Sequence, residues 1–374
     1  MVAAITMISA CHSKKSADND SQAGIPVQDG AEISYLPFQT KANGKWGLIG
    51  VDGRVLFADS LSHEPSAAVN GIFTVKNSRG LYEYYTATAS PKKIGGEYTK
   101  AGLFWEDVAP CKESGKDSMQ LINKDGTVVC KLNPDITWVG KFSCGLAPFK
   151  QGNRYGYLNT QGKVVTEATL LHASDYSEGY ALVVKADSDN VNLYGSKGNY
   201  RISIINEKGD VMKVSYHHAD SIGSAFHEGL LRRNTRVNDS TMICGFMDVN
   251  GQMLIPGKHN YQRVSDMHFT HFAFYDGGEW GIADNQLSTI LTARYDDVIS
   301  ITEEHVAVKE YGLYKLLNYS GEQISKSYTY MKAVNDGKCY IAERGGIYQL
   351  IDADGNIIGK SYYKITLPDT DDKD

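Results

Sequence analysis

A frame of about nine residues recurs nine times along the chain, and this recurrence constrains the fold more than any single residue does. Its fullest copy is "KWGLIGVDG", Lys45 to Gly53, and a sister copy is "RYGYLNTQG", Arg154 to Gly162. An aromatic or large apolar residue comes first, then usually a small one, two apolar residues, and a polar turn closing on Gly. The frame returns as "WGLIGVDG", "YEYYTATA", "MQLINKDG", "YGYLNTQG", "ISIINEKG", "CGFMDVNG", "WGIADNQL", "YKLLNYSG" and "YQLIDADG". The second residues of these strings are Gly47, Glu83, Gln120, Gly156, Ser203, Gly245, Gly281, Lys315 and Gln349, spaced by 36, 37, 36, 47, 42, 36, 34 and 34. Repeats of this length are single supersecondary units that bury their apolar faces only by stacking on neighbours. One array therefore accounts for nearly all of the 374 residues, where length alone would suggest two domains.

Each unit holds about three stretches of alternating apolar residues, as in "GLAPF", "RYGYLN" and "KVVTEA". The 24 Tyr and 37 Gly against 9 Pro fit strands better than helices. Asp52-Gly53, Asp125-Gly126, Asn250-Gly251 and Asp354-Gly355 read as two-residue hairpin turns, whose positive φ suits Gly, Asn and Asp. The predicted fold is all-β: nine units in a propeller-like ring, with an open β-array as the competing arrangement, since propellers usually have roughly four to eight blades. Trp46-Gly47, Tyr155-Gly156, Gly245 and Trp280-Gly281 are structural repeat positions. Trp46, Tyr155 and Trp280 are expected to be buried, each Gly letting the ring fold over neighbouring backbone.

The frame resembles the bacterial WG repeat, a tryptophan or tyrosine followed by Gly, two apolar residues and D/N-x-x-G. A companion string similar to that family's "S-E-G-L-A" stands as "SCGLAPF" at Ser143, "SEGYALV" at Ser177 and "HEGLLRR" at His227. The resemblance spans roughly residues 36 to 365 and is weakest where Glu83, Lys315 and Gln349 replace the Gly. It implies an exported lipoprotein, no catalytic residues and no cofactor.

The N-terminus agrees with export. "MVAAITMISAC" sets an apolar stretch, Val2 to Ile8, before Ser9, Ala10 and Cys11. This resembles a lipoprotein signal, in which the Cys after small residues is acylated, although Ile8 stands where Leu is commonest and no Lys or Arg precedes the stretch. The organisation expected is a signal peptide and lipidated Cys11 at 1–11, a polar tether at 12–34, one repeat domain at 35–366 and an acidic tail at 367–374. The chain would then be lipid-anchored in the bacterial cell envelope. No run reaches the ~18 apolar residues of a membrane-spanning helix. A net charge of −6, with mixed signs along the length, lacks the basic footprint of a nucleic-acid binder.

Several motifs invite chemistry and are absorbed by the repeat. "DADGN", Asp352 to Asn356, has Leu350 and Ser361 where a calcium loop needs acids, and reads as a turn. His268 and His271, or His217 and His218, would point to opposite faces of a strand, so neither pair can share a metal there. The remaining cysteines, Cys111, Cys130, Cys144, Cys244 and Cys339, show no CxxC spacing. The two longest units carry insertions in corresponding connections, 186–199 in unit five and 232–241 in unit six, expected side by side on one rim. Asp187 and Asp189, with Tyr194 and Tyr200, would there face Arg232, Arg233 and Arg236 and receive a protein or glycan partner. The function expected is a membrane-tethered binding or assembly module, with no catalysis evident. The alternative is an exported enzyme acting on a glycan or other polymer.

Overall fold

In the computed structural model every unit becomes a small antiparallel sheet. The structure describes residues 32–186, 200–217, 220–223, 225–238, 241–255 and 261–368. Blade 4 shows the pattern, with strands a to d at Ile136–Val139, Leu146–Gln151, Arg154–Asn159 and Val164–Leu170, hydrogen-bonded in that order. The recurrent frame is strand c and the turn after it. Blades 5, 6, 7 and 9 repeat the four-strand order. Blade 8 has strands a to c at Asp297–Ile301, His305–Glu310 and Leu313–Asn318, with single bridges at Gln323 and Tyr328 in place of strand d. Blades 1 to 3 are fused into one sheet, because Ile33–Gln39 of blade 1 pairs with Ala68–Val69 of blade 2, and Lys93–Ala101 serves as strand d of blade 2 and strand a of blade 3.

The ring is closed. The last strand, Lys364–Ile365, pairs with Ile33–Gln39 through Phe38 opposite Ile365 and Gln39 opposite Lys364, supplying strand a of the first blade. Asn335 of blade 9 accepts from the Ile33 N–H and donates to the Ile33 carbonyl, both at 2.9 Å. Among the described residues the core falls into nine apolar clusters, each spanning one junction between consecutive blades. Leu36, Phe38 and Ile49 pack on Val334, Ile341 and Leu350 at the ninth. This decides for the ring against the open array, because an array would leave its first and last apolar faces uncovered.

The motif Gly is set by its neighbours. At Gly156 an added Cβ would sit 2.3 Å from the Thr166 carbonyl oxygen and 2.7 Å from the Phe149 ring; Gly47 and Gly281 meet Phe38 and Phe274 in the same way. These phenylalanines face the glycines across the ladder. The ring over the Gly is thus the facing Phe of strand b, and not the preceding aromatic as expected. Where the Gly is lost the Phe is lost with it: Glu83 faces Val75, Ser203 faces Val183, Lys315 faces Val308 and Gln349 faces Ala342.

The turns between strands c and d also differ from expectation. In blade 4 the Asn159 carboxamide oxygen accepts the N–H of Gln161 at 3.1 Å and of Lys163 at 2.9 Å, and Gly162 takes φ 75°. Asp248 and Asp352 cap their turns likewise. Gly53, Gly126, Gly251 and Gly355 have positive φ, whereas Asp52, Asp125, Asn250 and Asp354 do not. These are longer side-chain-capped turns with one left-handed Gly, rather than two-residue hairpins. The Asp352 carboxylate accepts the Asn356 N–H at 2.7 Å and the Asn356 side-chain amide at 3.4 Å, in line with a turn and not a calcium loop.

Candidate binding surface

The turns joining strands a and b and the hairpins joining b and c lie on opposite faces of the ring. On the first face the turn is closed by a non-Gly residue at positive φ: Asn70, Glu106, Cys144, Glu178 and Glu228 all lie between 51° and 57°. Such a residue costs conformational energy, and its side chain is used. Glu178 accepts the N–H groups of Glu228 and Gly229 in the next blade, both at 2.8 Å. Glu228 accepts Thr270 N–H at 3.0 Å, and Glu106 accepts Gly145 N–H at 2.8 Å. The "SEG" string is therefore a blade-to-blade clasp. Equivalent groups on neighbouring blades approach this closely only near the axis of a ring, so these turns form its inner rim.

The histidines follow this rim. His268 and His271 flank a tight turn, each donating its N–H to the other's carbonyl at 2.8 and 2.9 Å, and do not lie along one strand as expected. The His268 ring meets His227 of blade 6 at 4.7 Å, and His271 stacks on Tyr319 of blade 8 at 4.2 Å. Burial, then His227, holds His268 below its ordinary pKa. At the next junction buried His305 lies with Nε2 2.8 Å from the Tyr340 hydroxyl and Nδ1 2.9 Å from Thr302 Oγ1. The shared place of His227 and His268 at the Ser position of "SEG" was the available signal, visible only once the turn is known to touch its neighbour. Of the free thiols, burial pushes Cys111 and Cys339 up to about 12 and Cys244 to about 11, which disfavours the nucleophilic thiolate.

The two insertions both fall in b–c connections, in adjacent blades. Blade 5 joins Tyr180–Ala186 to Tyr200–Asn206, and blade 6 joins Leu231–Asn238 to Thr241–Met247. The lengthening in blade 6 is mostly strand: Arg232, Arg233 and Arg236 belong to strand b, and pairing continues to Asn238 opposite Thr241. Tyr200 opens strand c of blade 5. Asp187, Asp189 and Tyr194 lie outside the described residues, as do Cys11 and His218. Arg232 is turned toward blade 7, its Nε 3.2 Å from Asp266 Oδ1 and its Nη1 donating to the Val264 carbonyl at 3.2 Å. It therefore belongs to a blade junction rather than to an open loop, a placement that unpaired-loop reasoning missed.

The motif aromatics stand at the start of strand c, near the hairpin face. Trp46 is 8% exposed, with the Lys364 ammonium 5.2 Å from its ring. Tyr155 and Trp280 are only half-buried, against expectation; each stands one residue inside the b–c hairpin, at the paired end of strand c. Tyr155 packs edge-on to Trp138 and His172, and Trp280 lies 5.1 Å from Tyr275.

A closed ring of antiparallel four-stranded blades, clasped on one face and free to vary in hairpin length on the other, defines an all-β repeat protein of propeller-like architecture. More particularly, residues 121–155 and 155–187 match the WG containing repeat. The first matched unit runs from strand c of blade 3 to the start of strand c of blade 4, and the second starts there and takes in strand b of blade 5, so the sequence repeat is offset from the structural blade. The whole chain is similar in fold to a eukaryotic initiation factor, at 11% identity and a TM-score of 0.57, over 89% of this chain and 97% of that one. A dipeptidyl peptidase 4 of Porphyromonas gingivalis aligns at 10% identity and 0.48, over 86% and 57%. Apo AztD of Citrobacter koseri aligns at 13% and 0.37, over 85% and 91%. No curated protein matches the sequence.

Proposed function

We propose that this chain is an exported binding or assembly module, held to the bacterial cell envelope by a lipid on Cys11 and presenting its hairpin face to a partner. The observation that carries this reading is the pair of lengthened b–c hairpins in blades 5 and 6. The blade 4 hairpin closes with Gln151 opposite Arg154, whereas pairing in blade 6 runs on to Asn238 and Thr241. Lengthening in two neighbouring units at one structural position builds a broader surface without touching a blade core.

Two variants test the reading. Cys11→Ser should leave the membrane fraction, and retention after a salt wash at the wild-type level overturns the anchor. Cutting the blade 5 and 6 hairpins to the length of blade 4's should leave the thermal transition nearly unchanged and remove cross-linked partners recovered from the native envelope. Unchanged recovery by the folded variant overturns the choice of surface.

A further inference from the structure

From the aromatic surface at blades 8 and 9 we infer a second binding site, built to hold a linear saccharide chain on its tyrosines. It stands apart from the blade 5 and 6 hairpins and goes beyond the function proposed above. Tyr311 is the starting point. It takes the first position of a Tyr-Gly hairpin turn at φ 51°, with Gly312 at 78°. The corresponding hairpins of blades 7 and 9 turn on Gly277-Gly278 and Gly345-Gly346. On the clasped face, left-handed Glu106, Glu178 and Glu228 reach the next blade. Tyr311 instead projects its ring into solvent, 89% exposed.

The hairpin that carries Tyr311 is held firmly. The Gly312 N–H donates to Asp296 Oδ2 at 2.8 Å. Glu310, just before the turn, is ion-paired with Lys315 on strand c and lies 3.3 Å from Arg294 Nε of blade 7. A strained, bulky residue kept exposed by a braced turn is an outlier that points to use.

Beside it the aromatic surface continues. The Lys309 ammonium stands 5.2 Å from the Tyr314 ring, and Tyr330 lies 6.2 Å from Tyr348. Tyr330 and Tyr348 both face Glu343 across the ladder, and Tyr314 is bridged to Tyr328, two residues before Tyr330. Tyr311, Tyr314, Tyr330 and Tyr348 all stand at the hairpin ends of strands, on one face of two neighbouring blades. The electron-rich face of a tyrosine attracts the polarised C–H face of a pyranose. The hydroxyls, Lys309, Glu343 and Arg344 border the rings with the donors and acceptors that sugar hydroxyls need. A repeating polymer with one apolar face per residue suits rings spread in this way over two blades.

The test uses the full chain and two insoluble glycans, chitin and purified peptidoglycan sacculi, read by co-sedimentation. Retention on at least one glycan is expected, weakened about tenfold for each ring lost in Tyr311→Asn and Tyr330→Ala. Tyr311→Phe should retain wild-type binding, since the stacking face remains. Asn suits the left-handed turn, so Tyr311→Asn should keep the wild-type melting transition and report on binding alone. Retention on neither glycan overturns the inference, and so does retention that both variants leave unchanged. If the variants instead abolish cross-linking to an envelope polypeptide, the surface is a protein interface and the saccharide assignment is wrong. The blade 5 and 6 hairpins remain intact in these variants, so their failure and that of the proposed function are separable.

Discussion

The pairing of Gly156 with Phe149 predicts that neither can be changed alone. In Gly156→Ser the new Cβ would stand 2.3 Å from the Thr166 carbonyl oxygen and 2.7 Å from two atoms of the Phe149 ring. The carbonyl belongs to strand d and the ring is 1% exposed, so neither neighbour can swing into solvent. Overpacking of this kind costs about 1–3 kcal/mol, and contact with backbone puts this case at the upper end. Phe149→Val removes most of a buried ring and costs about 2–4 kcal/mol, somewhat below the Phe→Ala range. The double variant reproduces the Val183 and Ser203 pair of blade 5 and gives the new side chain the ring's space. The expected double-mutant coupling is about 1–2 kcal/mol in favour of the pair, and the Thr166 carbonyl keeps the rescue partial. Urea denaturation of the four proteins measures it. Additive losses would refute the argument, showing that strand d alone selects the Gly.

Stability should also depend on pH through His305, which burial holds below its ordinary 6.5, with Asp354 opposing. Because the folded-state pKa is depressed, unfolding takes up protons in acid. Stability is full above about pH 6.5 and falls below it, down to the folded-state pKa. Urea midpoints between about pH 7.5 and 5 should show that slope, to which His268 and His172, also held down by burial, contribute, and His305→Gln should reduce it without abolishing it. Glu178→Ala should cost about 0.5–1.5 kcal/mol by removing two exposed charge-assisted hydrogen bonds to blade 6, whose N–H groups water can then satisfy, with Glu178→Gln costing less, as read from urea midpoints. Ile365→Ala should cost about 2–5 kcal/mol, and amide exchange should speed up first at Ile33–Gln39. Unchanged protection there would show that the ring is not held shut by its last strand.

The number of units and the all-β class were legible because they rest on periodic apolar positions and on Gly, signals that lie within one unit. Less legible was whatever one blade does to the next. Glu178 reads as a surface acid in a turn, and only its reach to the N–H groups of Glu228 and Gly229, about fifty residues away, shows a clasp. Arg232 reads as part of a charged loop because strand pairing in blade 6 runs past the length of its sisters, and its contact with Asp266 crosses a junction. Tyr155 and Trp280 are half-buried one residue inside their hairpins, whereas Trp46 at the same motif position is buried with Lys364 of the last strand over its ring, a difference made by neighbours that the motif does not encode.

This division also accounts for where variation has collected. On the inner rim a change at Glu106, Glu178 or Glu228 is felt by two blades at once, because each carboxylate satisfies backbone of the neighbour. On the hairpin face the tips extend away from the junctions, so length and side chain can change in one blade at little cost to the next. The long hairpins of blades 5 and 6 and the exposed Tyr311 of blade 8 all occur there. A ring that commits one face to its own closure leaves the other as the surface on which recognition can be built.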